Sequence, residues 1–484
     1  MLFNSIDFVI FFPVVFVLYW VCSTNLRLRN SFILASSYVF YGWWDWKFLG
    51  LIIISSFVDY YVGKKLGKEK SEKRRKLLLY LSLFVNLGFL LYFKYFNFFI
   101  DSFASAFTLL GKPLETSTLN IILPVGISFY TFQTLSYTID VYRNKLGPTD
   151  NILSFFAFVA FFPQLVAGPI ERASHLLPQF SKLYRFNIDE VRSGLQLMLW
   201  GFFKKVVIAD RLAILVNTVY NNPGAHSGID FTIATLFFAF QIYCDFSGYS
   251  DIAIGLARTM GFDLMKNFDS PYFSKSITEF WRRWHISLST WFRDYVYIPL
   301  GGSKKGKNRT YINLFTVFLV SGLWHGAAIT FIIWGALHGV VIVLEKATKT
   351  IRNNVFQLIG LDKDVFSNRL FFGFVTFSIV AFAWIFFRSN SFSDAQLIIS
   401  KIVSLEMSEL SKDIGLSNFN FNLSIVLILT LILIEYANKR ISFSGFVNSQ
   451  SRVFRWAIYT VSILFILFYG VYGEDSPEFI YFQF

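Results

Sequence analysis

Thiols, charge and long polar stretches are all scarce in this chain, and each scarcity removes a class of protein. The 484 residues include two cysteines, Cys22 and Cys244, both in or beside apolar segments and without CxxC spacing. Neither a disulfide framework nor a metal site is indicated. Charged residues make up 15% of the chain, against about 25% in soluble domains, which excludes an ordinary soluble globule. There is no HExxH, GxSxG nucleophile elbow, Walker loop or GxGxxG, which argues against zincin, hydrolase-fold, P-loop and Rossmann chemistry. No internal repeat or low-complexity linker is present, and nothing between the apolar runs is long enough for a soluble domain. A single membrane domain over residues 1–484 is therefore expected.

What is abundant is apolar surface: 55% of residues are hydrophobic and 20% aromatic, with 61 phenylalanines. Runs of roughly 17 to 25 apolar residues recur from end to end, at 6–22, 30–46, 48–62, 77–98, 119–140, 151–168, 229–247, 309–327, 329–345, 370–387, 422–437 and 453–472. They predict an all-α polytopic membrane protein with about 11–13 transmembrane or re-entrant helices. The first run does not read as a signal peptide, because no Lys or Arg precedes it and no small-residue cleavage site follows. The net charge of +13 does not point to nucleic acid, since the basic residues lie in short loops between apolar runs, where the positive-inside rule places them.

Those loops orient the chain. "KKLGKEKSEKRRK", Lys64 to Lys76, sets eight basic residues against Glu69 and Glu72 and is expected in the cytoplasm. Counting back, "GWWDWK" becomes an outer tryptophan belt, "NLRLRN" with Arg27 and Arg29 lies inside, and the N-terminus lies outside. "GGSKKGKNR" (Gly301 to Arg309) and "EKATKTIR" (Glu345 to Arg352) are also basic and bracket Thr310 to Leu344. Two inside ends require a helical hairpin turning near "WHGAA". That puts His325 roughly 20 Å from the basic loop, within a bilayer core about 30 Å thick.

Charge at that depth is expensive, about 2.5 kcal/mol or more, so ionisable groups there pair, line a cavity or do chemistry. A histidine stays neutral instead, and a neutral imidazole is a suitable general base. His325 stands evenly between that role and a helix-packing hydrogen bond. His338, two turns from the cytoplasmic end, reads as structural. "SITEFWRRWHISLSTWFRDYVYIPLGG", Ser276 to Gly302, opens with a capping box, Ser276 and Glu279. It continues with Trp281, Trp284, Leu288, Trp291 and Tyr295 at helical spacing. An amphipathic interfacial helix accounts for the aromatics and much of the arginine. It leaves His285 unexplained. Residues 186–212 mix charge with apolar residues at helical spacing, and 394–420 suggest a short interfacial helix and a polar loop. His175 follows a Pro/Gly-broken segment, and His226 sits in a loop whose "HSGID" is too short a match to carry an HxxxD assignment. "YCDFSGYSDIAIGLARTMGF" buries Asp245 and Asp251 in an apolar segment that Gly248 can relax. The pair keeps a proton-coupled transporter open as the rival class.

The ordered set "FFPQLVAGPIER", "CDFSGYSDIAIGLARTMGF", "EFWRRWHISLSTWFRDYVYIPLGG" and "SGLWHGAAITFIIWGALHG" resembles the bacterial branch of the membrane-bound O-acyltransferase family. The resemblance runs from the first residues to roughly 390. It is nearest to the members that O-acetylate alginate, and less near to those that export D-alanine to teichoic acid. It implies a helical bundle around a channel, with a mid-membrane histidine where a cytoplasmic donor and an outer acceptor meet. Carried over, that histidine is His325, and His285 matches a second polar position, where some members have Asn, in an assisting role. Trp281, Arg282, Arg283, Trp284, Arg293, Asp294, Asp245, Trp324 and His338 then line or back the channel, while the interfacial explanation stays open for the 281–294 group. No bound cofactor or metal is implied. The expected donor is acetyl-CoA or an acyl carrier thioester, and the expected partner an extracytoplasmic acetyltransferase that completes transfer to a polysaccharide. The resemblance places the chain among membrane lipids in a bacterial cytoplasmic membrane, with no nucleic-acid partner. A D-alanyl transferase, a transporter or flippase and a non-catalytic scaffold are the alternatives.

Overall fold

The computed structural model describes residues 1–109, 119, 121–166, 168–404, 411, 413–438, 443–473, 477 and 479–480. Helix is the only regular structure among them, so the protein is an all-α membrane bundle. Among the described residues, seven stretches have the length and apolarity to cross a bilayer: Leu26–Lys68, Glu72–Ala104, Gly228–Thr259, Ile329–Ala347, Phe366–Arg388, Asn418–Asn438 and Arg452–Tyr469. Sequence patterning suggested more spans, and the difference has a physical origin. The 119–140 run becomes helical only at Ile127, after Gly126 in a left-handed turn at φ 72°. The 151–168 run breaks at Phe161 into Ile152–Ala160 and a four-residue turn carrying Pro163. Residue 120, and residues 405–410 and 412 of the loop read within 394–420, lie outside the described residues.

The helices form two compact units interleaved in sequence, Met1–Met198 with Ser250–Met265 and Leu199–Tyr249 with Lys266–Phe484. The first contains the N-terminal helices, whose starts are fixed by side-chain caps. Ser5 accepts from the Phe8 N–H at 3.3 Å, and Asn25 accepts from Arg27 and Leu28 at 3.0 and 3.1 Å. Its apolar interior also holds a polar knot: fully buried Asp59 accepts from Ser82, from Asn86 at 2.8 Å and from Thr138 at 2.8 Å. Arg29, counted above as a cytoplasmic loop residue, is buried and donates to the Phe180 carbonyl at 2.9 Å. Packing therefore explains its presence as well as sidedness does. His175 bridges buried Glu171 at 2.8 Å and exposed Asp263 at 3.4 Å, and its hydrogen bond to Glu171 raises its pKa.

The second unit contains the expected hairpin. Helices Lys307–His325 and Ile329–Ala347 are joined by three residues, Gly326 to Ala328. They approach through glycine: a Cβ on Gly322 would lie 2.3 Å from the Phe331 carbonyl oxygen, and one on Gly335 2.4 Å from that of Phe318. Small residues permit such backbone contact between apolar helices. The first arm has 19 residues, about 28 Å of helix. The helix begins inside the basic loop, and His325, at its end, stands about 24 Å beyond Arg309, close to the depth expected from spacing.

Candidate active site

The hairpin brings three aromatic walls around His325. The side chain is 3% exposed, with ring centroids at 4.9 Å from Trp324, 5.0 Å from Trp334 and 5.4 Å from Phe387, all edge to face. Trp334 also meets His338 at 5.1 Å, and Trp384 stacks behind it at 5.8 Å. His338 is 1% exposed, and its Nδ1 accepts from Trp281 Nε1–H at 3.3 Å. An indole nitrogen only donates, so the proton of this imidazole resides on Nε2.

The segment expected to form one helix from Ser276 is two short ones, Ile277–Arg283 and Ile286–Phe292. The capping box does start the first, with Ser276 Oγ accepting from the Glu279 N–H at 3.1 Å. Helical spacing then runs on through Trp284 and Trp291, but the backbone turns left-handed at His285, φ 43°. A non-glycine residue holds such a conformation only where its surroundings over-determine it. Asn267 does this: its carbonyl accepts from the Ile286 N–H at 2.9 Å, and its Oδ1 takes Ser287 N–H at 3.3 Å and Ser287 Oγ–H at 2.9 Å. The same Oδ1 lies 3.0 Å from His285 Nδ1. Because the backbone N–H fixes that amide atom as oxygen, His285 donates from Nδ1 and carries its lone pair on Nε2. Burial holds the imidazole well below the usual histidine pKa, so it is neutral at pH 7. Its ring sits 4.5 Å from Phe246 and 6.0 Å from Trp324, the indole that also touches His325.

Asn267→Ala strands one backbone and two side-chain donors in the interior, each costing about 1–3 kcal/mol when unpaired. The thermal midpoint of the detergent-solubilised protein is expected to fall, and an unchanged midpoint would remove Asn267 as the anchor of His285.

The remaining expected residues scatter. Trp284 is buried at 5.1 Å from Phe268 and 5.2 Å from Trp384. Arg282 is exposed, Arg283 pairs with Glu279 at 2.8 Å, and Arg293 pairs with its neighbour Asp294 at 2.7 Å. Asp245 belongs to an ion triad: Lys205 Nζ lies 2.7 Å from both Asp245 and Asp210, and Asp245 Oδ2 accepts the Ile480 N–H at 2.8 Å. Gly248 does not loosen that helix, which is continuous over Gly228–Thr259. Its missing Cβ admits the Gly201 carbonyl, 2.8 Å from where the Cβ would be. Among the described residues no three His, Cys, Asp or Glu side chains form a metal-holding group.

Sequence reasoning missed Trp334, Phe387, Asn267 and Lys205. Trp334 was findable, standing one helical turn before His338 on the same face. Asn267 belongs to no motif and gave no signal.

Residues 33–387 match the profile of MBOAT, the membrane-bound O-acyltransferase family. The chain is 43% identical over 419 residues to the probable alginate O-acetylase AlgI of Pseudomonas syringae pv. tomato, covering 85% of this chain and 77% of that protein. It is 35% identical over 447 residues to the peptidoglycan O-acetyltransferase of Helicobacter pylori, covering 85% and 82%. A teichoic acid D-alanyltransferase of Bacillus subtilis is 32% identical over 234 residues, covering 46% and 59%.

Proposed function

Because the chain belongs to the membrane-bound O-acyltransferase family, we propose that it is a multi-pass O-acetyltransferase modifying an extracytoplasmic polysaccharide or cell-wall glycan, with His325 as its general base. The observation that carries the role is the position of His325: an imidazole at the turn of a helical hairpin, nearly closed off by Trp324, Trp334 and Phe387. Acetyl arrives as a thioester, acetyl-CoA or an acyl carrier, on the cytoplasmic side. An acceptor hydroxyl oxygen bonds to the acyl carbon while His325 takes its proton. The carbon–sulfur bond then breaks, and the proton passes to the leaving thiolate.

His285 assists, its ring 6.0 Å from Trp324 and held neutral by burial. Trp281, Trp284, Trp324 and His338 act as walls. Arg282 and Arg293, which are exposed, and Arg283 and Asp294, which are half-buried in ion pairs, are assigned to the surface of the donor entrance. The bacterial cytoplasmic membrane, an N-terminus outside and a separate extracytoplasmic acetyltransferase complete the proposal. The Lys64 to Lys76 loop supports the orientation.

Acetyl-labelled CoA supplied to the cytoplasmic face of membrane vesicles is expected to label base-labile esters on the glycan, dependent on this chain. Labelling from carrier-bound D-alanine, with none from acetyl donors, would reassign the enzyme to the D-alanyl class, which the shorter match to the D-alanyltransferases favours less.

A further inference from the structure

Two adjacent buried donors, the nearer one against His325, lack an acceptor among the described residues. Trp281 occupies Nδ1 of His338, which leaves the proton on Nε2. Among the described residues that Nε2 has no hydrogen-bond partner, and neither has Nε1 of Trp334. The two residues are 1% and 0% exposed. They stand four apart on one helix, hence on one face, with ring centroids 5.1 Å apart. The Trp334 ring is 5.0 Å from His325. An unpaired buried donor costs about 1–3 kcal/mol, and a bilayer interior has little water to relieve it. Two such donors, adjacent to each other and with Trp334 against the proposed base, call for an explanation.

Resting on the acyltransferase reading, we infer that His338 Nε2–H and Trp334 Nε1–H form the oxyanion site of the transfer, accepting the carbonyl oxygen of the acyl thioester. Both groups are neutral donors, which suits an oxygen that is weakly basic in the thioester and gains charge only as the reaction proceeds. When the acceptor oxygen bonds to the acyl carbon, the carbonyl π electrons move onto the carbonyl oxygen and both N–H···O hydrogen bonds to it shorten. The acceptor proton goes to His325. On collapse the carbonyl re-forms, the carbon–sulfur bond breaks, and the thiolate leaves with the proton from His325. The two histidines of the hairpin thus have opposite tasks: His325 receives a proton, and His338 keeps one and points it at negative charge.

The test is a rate comparison in vesicles or purified full-length protein, with chain abundance and thermal midpoint measured alongside. Trp334→Phe keeps a ring and removes the N–H. His338→Gln keeps both functions, an oxygen for Trp281 and an N–H for the substrate, whereas His338→Leu keeps neither. Removing one oxyanion donor typically costs about 10²–10³-fold in kcat. Trp334→Phe and His338→Leu are therefore expected to lose kcat on that scale with the donor KM little changed, and His338→Gln to recover at least about tenfold over His338→Leu. The inference is overturned if Trp334→Phe keeps kcat within about threefold, whether or not its midpoint falls, since the donors would then serve only packing or a structural water. It is also overturned if KM rises while kcat holds, or if Gln at 338 is no better than Leu. Failure of the wider reading looks different: no acyl transfer in the unsubstituted protein, or full transfer in His325→Ala.

Discussion

With His325 replaced by alanine, glycan acylation falls by about 10²–10⁴-fold, the range lost when a positioned general base is removed, while the chain still inserts. Burial makes the control important. The ring touches Trp324, Trp334 and Phe387, so alanine also leaves a void among aromatics, and part of any loss could come from collapse of those walls. His325→Gln fills most of that void and supplies no comparable base, so it is expected to match His325→Ala in rate and exceed it in thermal midpoint. Base-released acetate from the glycan, normalised to immunodetected protein, reads the first quantity. Acylation that survives both substitutions removes His325 from the chemistry.

The hairpin was legible because two independent signals agreed. Basic loops at Gly301 to Arg309 and Glu345 to Arg352 fixed both ends, and the distance between them allowed only two helices and a turn at "WHGAA". The place of His325 near that turn followed from the arithmetic, whereas its role as base came from the family resemblance. The segment after Ser276 was legible at its start and misread beyond it. Helical spacing continues through Trp284 and Trp291, but what breaks the helix at His285 is Asn267, 18 residues earlier, through an amide that no periodicity reports. Local patterns carry the local rule; a left-handed residue pinned from elsewhere is a tertiary fact. Asp245 illustrates the same limit. Its sequence neighbourhood shows an apolar helix with a carboxylate in it, which suggests ion movement, while its partner Lys205 lies forty residues upstream in a stretch that looked merely mixed.

That partner yields the second large expected effect. Lys205 lies 2.7 Å from both Asp210 and Asp245, and the three side chains are at most 4% exposed. Lys205→Met removes the cation that the two carboxylates share. Breaking a buried ion pair by removing one member costs about 3–5 kcal/mol, so the variant is expected to unfold at much lower temperature or to be cleared before insertion. Neutralising all three positions, Lys205→Met with Asp210→Asn and Asp245→Asn, is expected to recover most of that loss, because no charge is then stranded. If the triple variant is no more stable than Lys205→Met, charge is not what the lysine supplies. The same triad separates enzyme from transporter. A carboxylate that carries protons or ions must exchange partners during each cycle, whereas Asp245 is tied on one oxygen to Lys205 and on the other to the Ile480 N–H. Asp245→Asn keeps one acceptor oxygen, enough for either Lys205 or the Ile480 N–H, and Lys205 keeps Asp210. That single variant should therefore retain acylation that depends on His325, where a proton-coupled carrier built on Asp245 would lose its function outright.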